Sequence, residues 1–239
     1  MKTDNPTKIS ILRADERGHA GHGWLDSWHT FSFADYYDPA HMGYHSLRVI
    51  NEDTIAPGKG FGMHPHSSME IFTYIISGQL EHEDSMGNGR VIKAGEFQYM
   101  SAGEGVMHSE LNPSVSEPVH LLQIWITPNQ DGGSPRYADM DTNAIKQNNA
   151  LTLFASGDGK NGSFEMRQHA EIYFGQLETG ATLTQDCNDQ LPHMWLQMIK
   201  GELELDGNIL HAGDAVALEN SQLALQAKSD SEFLLFQLG

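Results

Sequence analysis

Residues 64–81 read HPHSSMEIFTYIISGQLE, and this stretch decides the fold. Its middle, residues 71–77, is a run of β-branched and aromatic side chains closed by Gly78, which reads as a strand running into a tight turn. Residues 46–51 (SLRVIN) and 119–127 (VHLLQIWIT) have the same texture. Turn chemistry separates such runs at Pro57-Gly58, Gly87-Asn88-Gly89, Ala94-Gly95, Asp206-Gly207-Asn208 and Ala212-Gly213. Strands recurring at roughly eight-to-twelve-residue intervals predict an all-β sandwich or barrel.

The same stretch has an echo. Residues 74–81 (YIISGQLE) correspond to 197–204 (QMIKGELE), and 92–97 (IKAGEF) to 210–215 (LHAGDA). The paired glycines, Gly78 with Gly95 and Gly201 with Gly213, lie 17 apart in the first copy and 12 apart in the second. A hairpin trimmed from residues 84–89 (DSMGNG) to 206–208 (DGN) accounts for the difference. Two copies of one β-barrel module follow. The expected division is 1–130 for the first barrel, 131–150 for a polar linker with a short helix near 142–147, and 151–239 for the second barrel.

Composition narrows the function. The 239 residues include 32 acidic and 14 basic side chains, a formal net charge of −18, and the acidic excess runs through both halves. Such a polyanion repels phosphate backbones, so direct nucleic-acid binding is not expected. The apolar run at 119–126 is only eight residues and is interrupted by His120 and Gln123, so no membrane span is expected. The first eight residues lack the apolar stretch of a secretory signal, and the single cysteine, Cys187, has no internal partner. A cytoplasmic protein is expected, with a monomer as the default state and Cys187 as an inert thiol.

Thirteen histidines are the unusual item. His64-Pro65-His66 and His108-Ser109-Glu110 each place two ligand types at i and i+2, which point to one face of a strand. Facing each other across a small barrel, they would gather three imidazoles and one carboxylate, a set that suits a divalent transition metal. Three nitrogens and one oxygen leave open positions on an octahedral ion, hence a reactive metal. Other candidates read as ordinary structure. His19, His22 and His29 read as caps and aromatic packing beside Trp24, Trp28 and Phe31. Residues 81–84 (EHED) read as a solvated hairpin face, and 157–162 (GDGKNG) as a turn without a following amphipathic helix.

The spacing Gly58-x5-His64-x-His66-x3-Glu70-x7-Gly78, then Gly95-x5-Ser101-x-Gly103-x4-His108-x3-Asn112, resembles the two motifs of the cupin superfamily. Residues 64–71 (HPHSSMEI), 78–88 (GQLEHEDSMGN), 100–110 (MSAGEGVMHSE) and 18–39 (GHAGHGWL through HTFSFADYYDP) resemble the pirin family within it. The strong resemblance covers about residues 15–130, and the remainder is similar to short bacterial pirin-like quercetinases. It implies a bicupin, two tandem antiparallel jelly-roll barrels with few short helices and one metal site in the first. It assigns His64, His66, His108 and Glu110 as ligands and leaves Glu70 as an outer support. It puts Fe(II) first among the metals, with Cu, Mn, Co, Ni and Zn also compatible. The implied reaction is cleavage of a flavonol such as quercetin with O2 to a depside and carbon monoxide. Glu110 would serve as ligand and as base for the flavonol proton, with Phe33, Phe61, Met63, Phe72, Tyr99, Met107 and Trp125 as candidate walls. The alternative is a metal-binding regulatory module with a protein partner.

In the second copy, counting from Gly201 puts Cys187 and Asp189 where the first copy has His64 and His66. Counting from the second glycines puts Gln226 and Lys228 near the positions of His108 and Glu110. That set does not suit the same metal, so a structural second barrel is expected.

Overall fold

The computed structural model describes residues 8–239; the N-terminal stretch read for a secretory signal lies largely outside them. Almost every element is a strand. In chain order they are β1 (Lys8–Leu12), β2 (Gly18–Gly21), β3 (Leu25–His29), β4 (Leu47–Ile55), β5 (Gly60–His66), β6 (Glu70–Ser77), β7 (Gln79–Asp84), β8 (Gly89–Lys93), β9 (Glu96–Ser101), β10 (Val106–Leu111), β11 (Val119–Ile126) and β12 (Arg136–Asp141). After the short helix α1 (Thr142–Ile145) come β13 (Ala150–Ser156), β14 (Phe164–Glu165), β15 (Ala170–Leu177), β16 (Thr182–Gln185), β17 (His193–Lys200), β18 (Glu202–Leu205), β19 (Asn208–His211), β20 (Ala215–Glu219), β21 (Leu223–Ala227) and β22 (Ser231–Leu238). Among the described residues no helix is long and apolar enough to cross a membrane.

The two-barrel expectation holds, with different boundaries. One unit comprises residues 17–144 with 166–168; the other comprises, of the described residues, 8–16, 145–165 and 169–239. Strand β1 therefore does not belong with the first barrel: it pairs antiparallel with β20, Ile9 opposite Leu218 and Ile11 opposite Val216. The expected linker is also partly strand. Its residues 136–141 form β12, which pairs with β9 at the edge of the first unit's sheet, so their polarity reflects an edge position and not a tether. The short helix near 142 is present.

The first unit consists of a seven-stranded sheet, ordered β12-β9-β6-β11-β4-β3-β2, and a four-stranded sheet, ordered β5-β10-β7-β8. Alternation along the inward faces has a layered result. On β6, Ile71, Thr73 and Ile75 point the same way; on β11, Leu121, Gln123 and Trp125 do so. Ile75 and Leu121 join Ile55, Leu80, Ile92 and Val119 in one apolar cluster, while Ile71 joins Met100, Ala102 and Val106 in another. Thr73 and Gln123 lie between these layers, and so do Gln98, His82, His108 and Glu110, all buried. A polar belt thus runs between two apolar ones.

The second unit repeats the plan, with β16-β21-β18-β19 facing a seven-stranded sheet. The glycines of the internal repeat fall at matching turns: Gly78 and Gly201 have φ of +81° and +80°, and Gly95 and Gly213 have +83° and +84°. A Cβ on Gly78 would also fall 2.6 Å from the Pro118 carbonyl oxygen, so this position excludes a side chain twice over. The interior differs from the first. Leu203, Leu205, Leu223 and Leu225 pack with Met194, Leu196 and Phe233, and among the described residues the belt of ligand-type residues has no counterpart. The positions counted out in sequence are corrected here: strand pairing sets Leu183 opposite Leu225 and Gln185 opposite Leu223, while Cys187 and Asp189 lie beyond β16.

Candidate metal centre

The two ligand motifs sit on neighbouring strands. β5 is an edge strand, which lets Pro65 stand between the two histidines at a place where a missing N–H is tolerated. It pairs with β10 so that His64 is directly opposite His108. Beyond that pair the ladder bulges: three steps along β5, from His64 to Phe61, match two along β10, from His108 to Glu110. On the other side of β10 the register stays even, with His108 opposite Asp84 and Glu110 opposite His82.

His64, His66 and His108 converge, their ligand atoms lying within 4.8 Å of one another. The ring centroids are 4.8 Å apart for His64 and His66, 4.4 Å for His64 and His108, and 4.9 Å for His66 and His108. The Nδ1–H of His64 donates to the Gly62 carbonyl at 2.8 Å. A carbonyl can only accept, so the proton is on Nδ1 and the Nε2 lone pair is left for a ligand bond. His108 is 1 % exposed, and neither of its ring nitrogens has a hydrogen-bond partner. A buried polar atom without a partner costs about 1–3 kcal/mol. A metal ion is a natural partner for such a nitrogen, so the residues present fit one.

Burial, together with the neighbouring imidazoles, lowers the His66 pKa to about 4 and that of His108 to about 3. Both rings are therefore neutral at pH 7, as metal ligands must be. Metal uptake at pH 6 is expected to release fewer than about one proton, against about two for three ordinary imidazoles. Calorimetry in buffers of different ionisation enthalpy reads that number directly.

Glu110 stands beside this trio. It groups within 4.8 Å with His108 and His82, and not in one set with His64 and His66. Both of its oxygens are held from the opposite sheet: the Thr73 hydroxyl donates to Oε1 at 3.1 Å and the Gln123 amide to Oε2 at 2.9 Å. His82 was missed in the sequence, where residues 81–84 read as a solvated face. In fact His82 is fully buried and Asp84 nearly so, because the alternation Leu80-x-His82-x-Asp84 turns all three inward. The i, i+2 rule already applied to the ligand pairs would have found them. His82 differs from His108 in being fully engaged: Nε2 meets Asp84 Oδ2 at 3.2 Å and Nδ1 meets the Gln98 amide at 3.1 Å. It braces the belt, with Tyr137 of β12 stacked on it at 4.9 Å.

Glu70 is an odd number of residues from Thr73 and faces away from the belt. It accepts hydrogen bonds from the Tyr99 hydroxyl, from Ser101 Oγ at 2.5 Å and from the Arg167 backbone N–H at 3.1 Å. These donors meet Glu70 on the face of β6 turned away from Thr73, so the support that Glu70 gives is to the fold. Its role is to pin residues 166–168 to the barrel. Glu70→Leu is expected to cost about 3 kcal/mol of stability by leaving three donors unpaired, with metal content unchanged. Urea unfolding and metal analysis on one preparation check both halves.

The candidate aromatic walls divide in the same way. Phe72 and Tyr99 stack on each other on the Glu70 side, and Met63 and Met107 are exposed. Trp125 lies 4.9 Å from His66, and Phe33 lies edge-on to Trp125 at 5.4 Å. Phe33 and Phe61 line a cavity of about 410 Å³ together with Trp24, His29 and Asp53. Of the early histidines, His19 packs on Trp28 at 4.3 Å, and His29 is buried against Phe33 and Tyr36.

Known proteins resemble this chain in sequence and fold. The pirin family model matches residues 12–126, and the model described as quercetinase C-terminal cupin domain matches residues 153–238. The chain is 48 % identical over 232 residues to the quercetin 2,3-dioxygenase of Escherichia coli K12, covering 96 % of this chain and 98 % of that one. It is 45 % identical to a putative quercetin 2,3-dioxygenase of Pasteurella multocida, covering 96 % and 99 %. Among solved structures, YhhW from Escherichia coli superposes with a TM-score of 0.93 at 45 % identity over 97 % of this chain and 98 % of that one. A crystal structure of the bacterial pirin YhhW with nickel(II) superposes with a TM-score of 0.91 at the same identity, over 97 % and 99 %. With matching folds, near-complete coverage in both directions and a belt that fits a divalent metal, the chain belongs to the pirin family.

Proposed function

We propose that this protein is a metal-dependent dioxygenase that cleaves a flavonol such as quercetin with O2, giving a depside and carbon monoxide. The observation that carries the reading is His108, buried with both ring nitrogens unpartnered at the meeting point of His64 and His66. His64, His66 and His108 hold the metal, and Glu110 completes the set. A divalent metal held by these donors supplies Lewis acidity and redox capacity for the O2 chemistry. Glu110 takes the proton of the flavonol 3-hydroxyl at a carboxylate oxygen. The Thr73 and Gln123 donors keep that carboxylate in place before and after the transfer. Moving the proton from the flavonol to Glu110 leaves the net charge of dication, carboxyl and substrate unchanged at plus one and places the anion on the substrate oxygen, so no new uncompensated charge is buried.

Fe(II) is our first choice of metal, with Cu, Mn, Co, Ni and Zn admitted by the same donors. We place the protein in the cytoplasm as a monomer. There the half-buried Cys187, whose pKa burial raises, stays a quiet thiol.

The test is oxygen uptake with quercetin by protein reconstituted with each divalent metal in turn. Metal-dependent uptake with carbon monoxide release is expected. No uptake at a confirmed one-to-one metal content sinks the enzyme reading and leaves a metal-binding module for a protein partner.

A further inference from the structure

The cavity lined by Phe33 and Phe61 contains two polar atoms that no other described residue uses. Asp53, on β4, is 4 % exposed. Its Oδ1 accepts the Ser27 hydroxyl, while Oδ2 has no hydrogen-bond partner among the described residues. On the neighbouring strand β3, the Nδ1–H of His29 donates to Asn51 Oδ1 at 2.9 Å, which leaves the Nε2 lone pair without a partner. Burial lowers the His29 pKa, so the ring is neutral and Nε2 is an acceptor at pH 7. All four residues line the cavity, and no lysine or arginine does.

The remaining lining mixes aromatic walls with Ala20, Leu25 and Ala34, and has His22 and the exposed Asp35 among its other residues. Trp24 and Phe61 meet edge to face at 5.4 Å, and Phe33 forms another wall. A volume of about 410 Å³ lies in the range of roughly 300–1,000 Å³ usual for small-molecule sites. A largely apolar slot with two buried acceptors, a further carboxylate in Asp35 and no lysine or arginine disfavours phosphates and carboxylates. It suits a neutral planar ring system that carries hydroxyl donors. One wall links the slot to the candidate centre: Phe61 lines the slot, is the cross-strand partner of Glu110 and lies 6.5 Å from the His64 ring.

We propose that this cavity receives the polyhydroxylated rings of the flavonol, with Asp53 and His29 as specificity-determining acceptors for phenol hydroxyls that do not react. The proposal rests on the dioxygenase reading and deepens it. Burial also lifts the Asp53 carboxyl to about 7, helped by the charges of Glu110 and Glu52 and opposed by the Ser27 bond and His120. Near neutrality it can therefore accept from one hydroxyl or donate to a phenol oxygen, which widens the set of hydroxylated rings it can hold.

The experiment is an anaerobic titration of metal-loaded protein, read by tryptophan fluorescence, with quercetin and with 3-hydroxyflavone, which lacks the other hydroxyls. Without O2 there is binding and no turnover. The wild type is expected to prefer quercetin by about tenfold or more, since an unmatched buried acceptor penalises the bare ring system. Asp53→Leu, close in size but without acceptors, is expected to bring that preference within about threefold while 3-hydroxyflavone binds as before. His29→Phe, which keeps the ring packing, lowers the preference in the same direction and serves if Asp53→Leu fails to fold. A wild type that binds both ligands equally, or folded variants that retain the full preference, overturns the proposal. Oxygen uptake on the same preparation separates the two ideas: preference without uptake overturns only the dioxygenase reading, and uptake without preference overturns only this one.

Discussion

His108→Ala is expected to remove bound metal and flavonol turnover together. Each outer partner of a metal ligand is worth about 10–100-fold in affinity or activity, so loss of a ligand imidazole weakens metal binding by more than about 100-fold. Metal content after desalting is then expected to fall from one per chain to under about a tenth. Stability responds differently. In the metal-free wild type, His108 buries two nitrogens without partners, a penalty that alanine relieves while it opens a small void. The two effects oppose, and the metal-free variant is expected to melt within a few degrees of metal-free wild type. Adding metal raises the melting temperature of the wild type alone, because only the wild type has a native-state ligand set. A variant that retains full metal content and turnover removes His108 from the site.

Glu110→Gln separates charge from shape. Glutamine keeps the side-chain length and can still accept the Thr73 hydroxyl, but it offers no anion to the metal and no base to the substrate. Turnover with quercetin is expected to fall by about 10²–10⁴, the usual worth of a positioned base. The three imidazoles remain, so metal affinity falls by less than in His108→Ala. The informative result is the split: metal content held near one per chain by excess metal, with turnover still lost. Equal turnover at equal metal content shows that Glu110 neither ligates nor accepts the proton. Gln123 also loses its anionic acceptor in this variant, so a drop in stability of about 1 kcal/mol is expected alongside. Chemical denaturation reads that cost independently of the assay.

Much of this was legible in sequence because the rules involved are local. His64-x-His66 and His108-x-Glu110 needed only the period of two that every strand imposes, and the glycines of the repeat needed only the positive φ of a turn. The same period would have shown that Leu80, His82 and Asp84 share a face. A charged hairpin strand is solvated on one face only: Glu81 and Glu83 take the outer face, while His82 and Asp84 take the inner one. Glu70 shows the reverse limit. Its place in the cupin motif suggests the metal, yet parity relative to Thr73 turns it to the other face, where Tyr99, Ser101 and Arg167 satisfy it.

What the sequence determined by itself is the all-β double barrel, its internal repeat, and the four residues expected at the metal, since each follows from spacing along a single strand or from family motifs. Only the tertiary structure decided which strands close each unit, why β1 belongs with β20, and how Thr73, Gln123, Gln98 and Asp53 come to face the centre from strands far away in sequence. The reason is physical. Side-chain alternation is fixed by the chain's own geometry, whereas strand pairing across a barrel is fixed by long-range packing that no single stretch encodes.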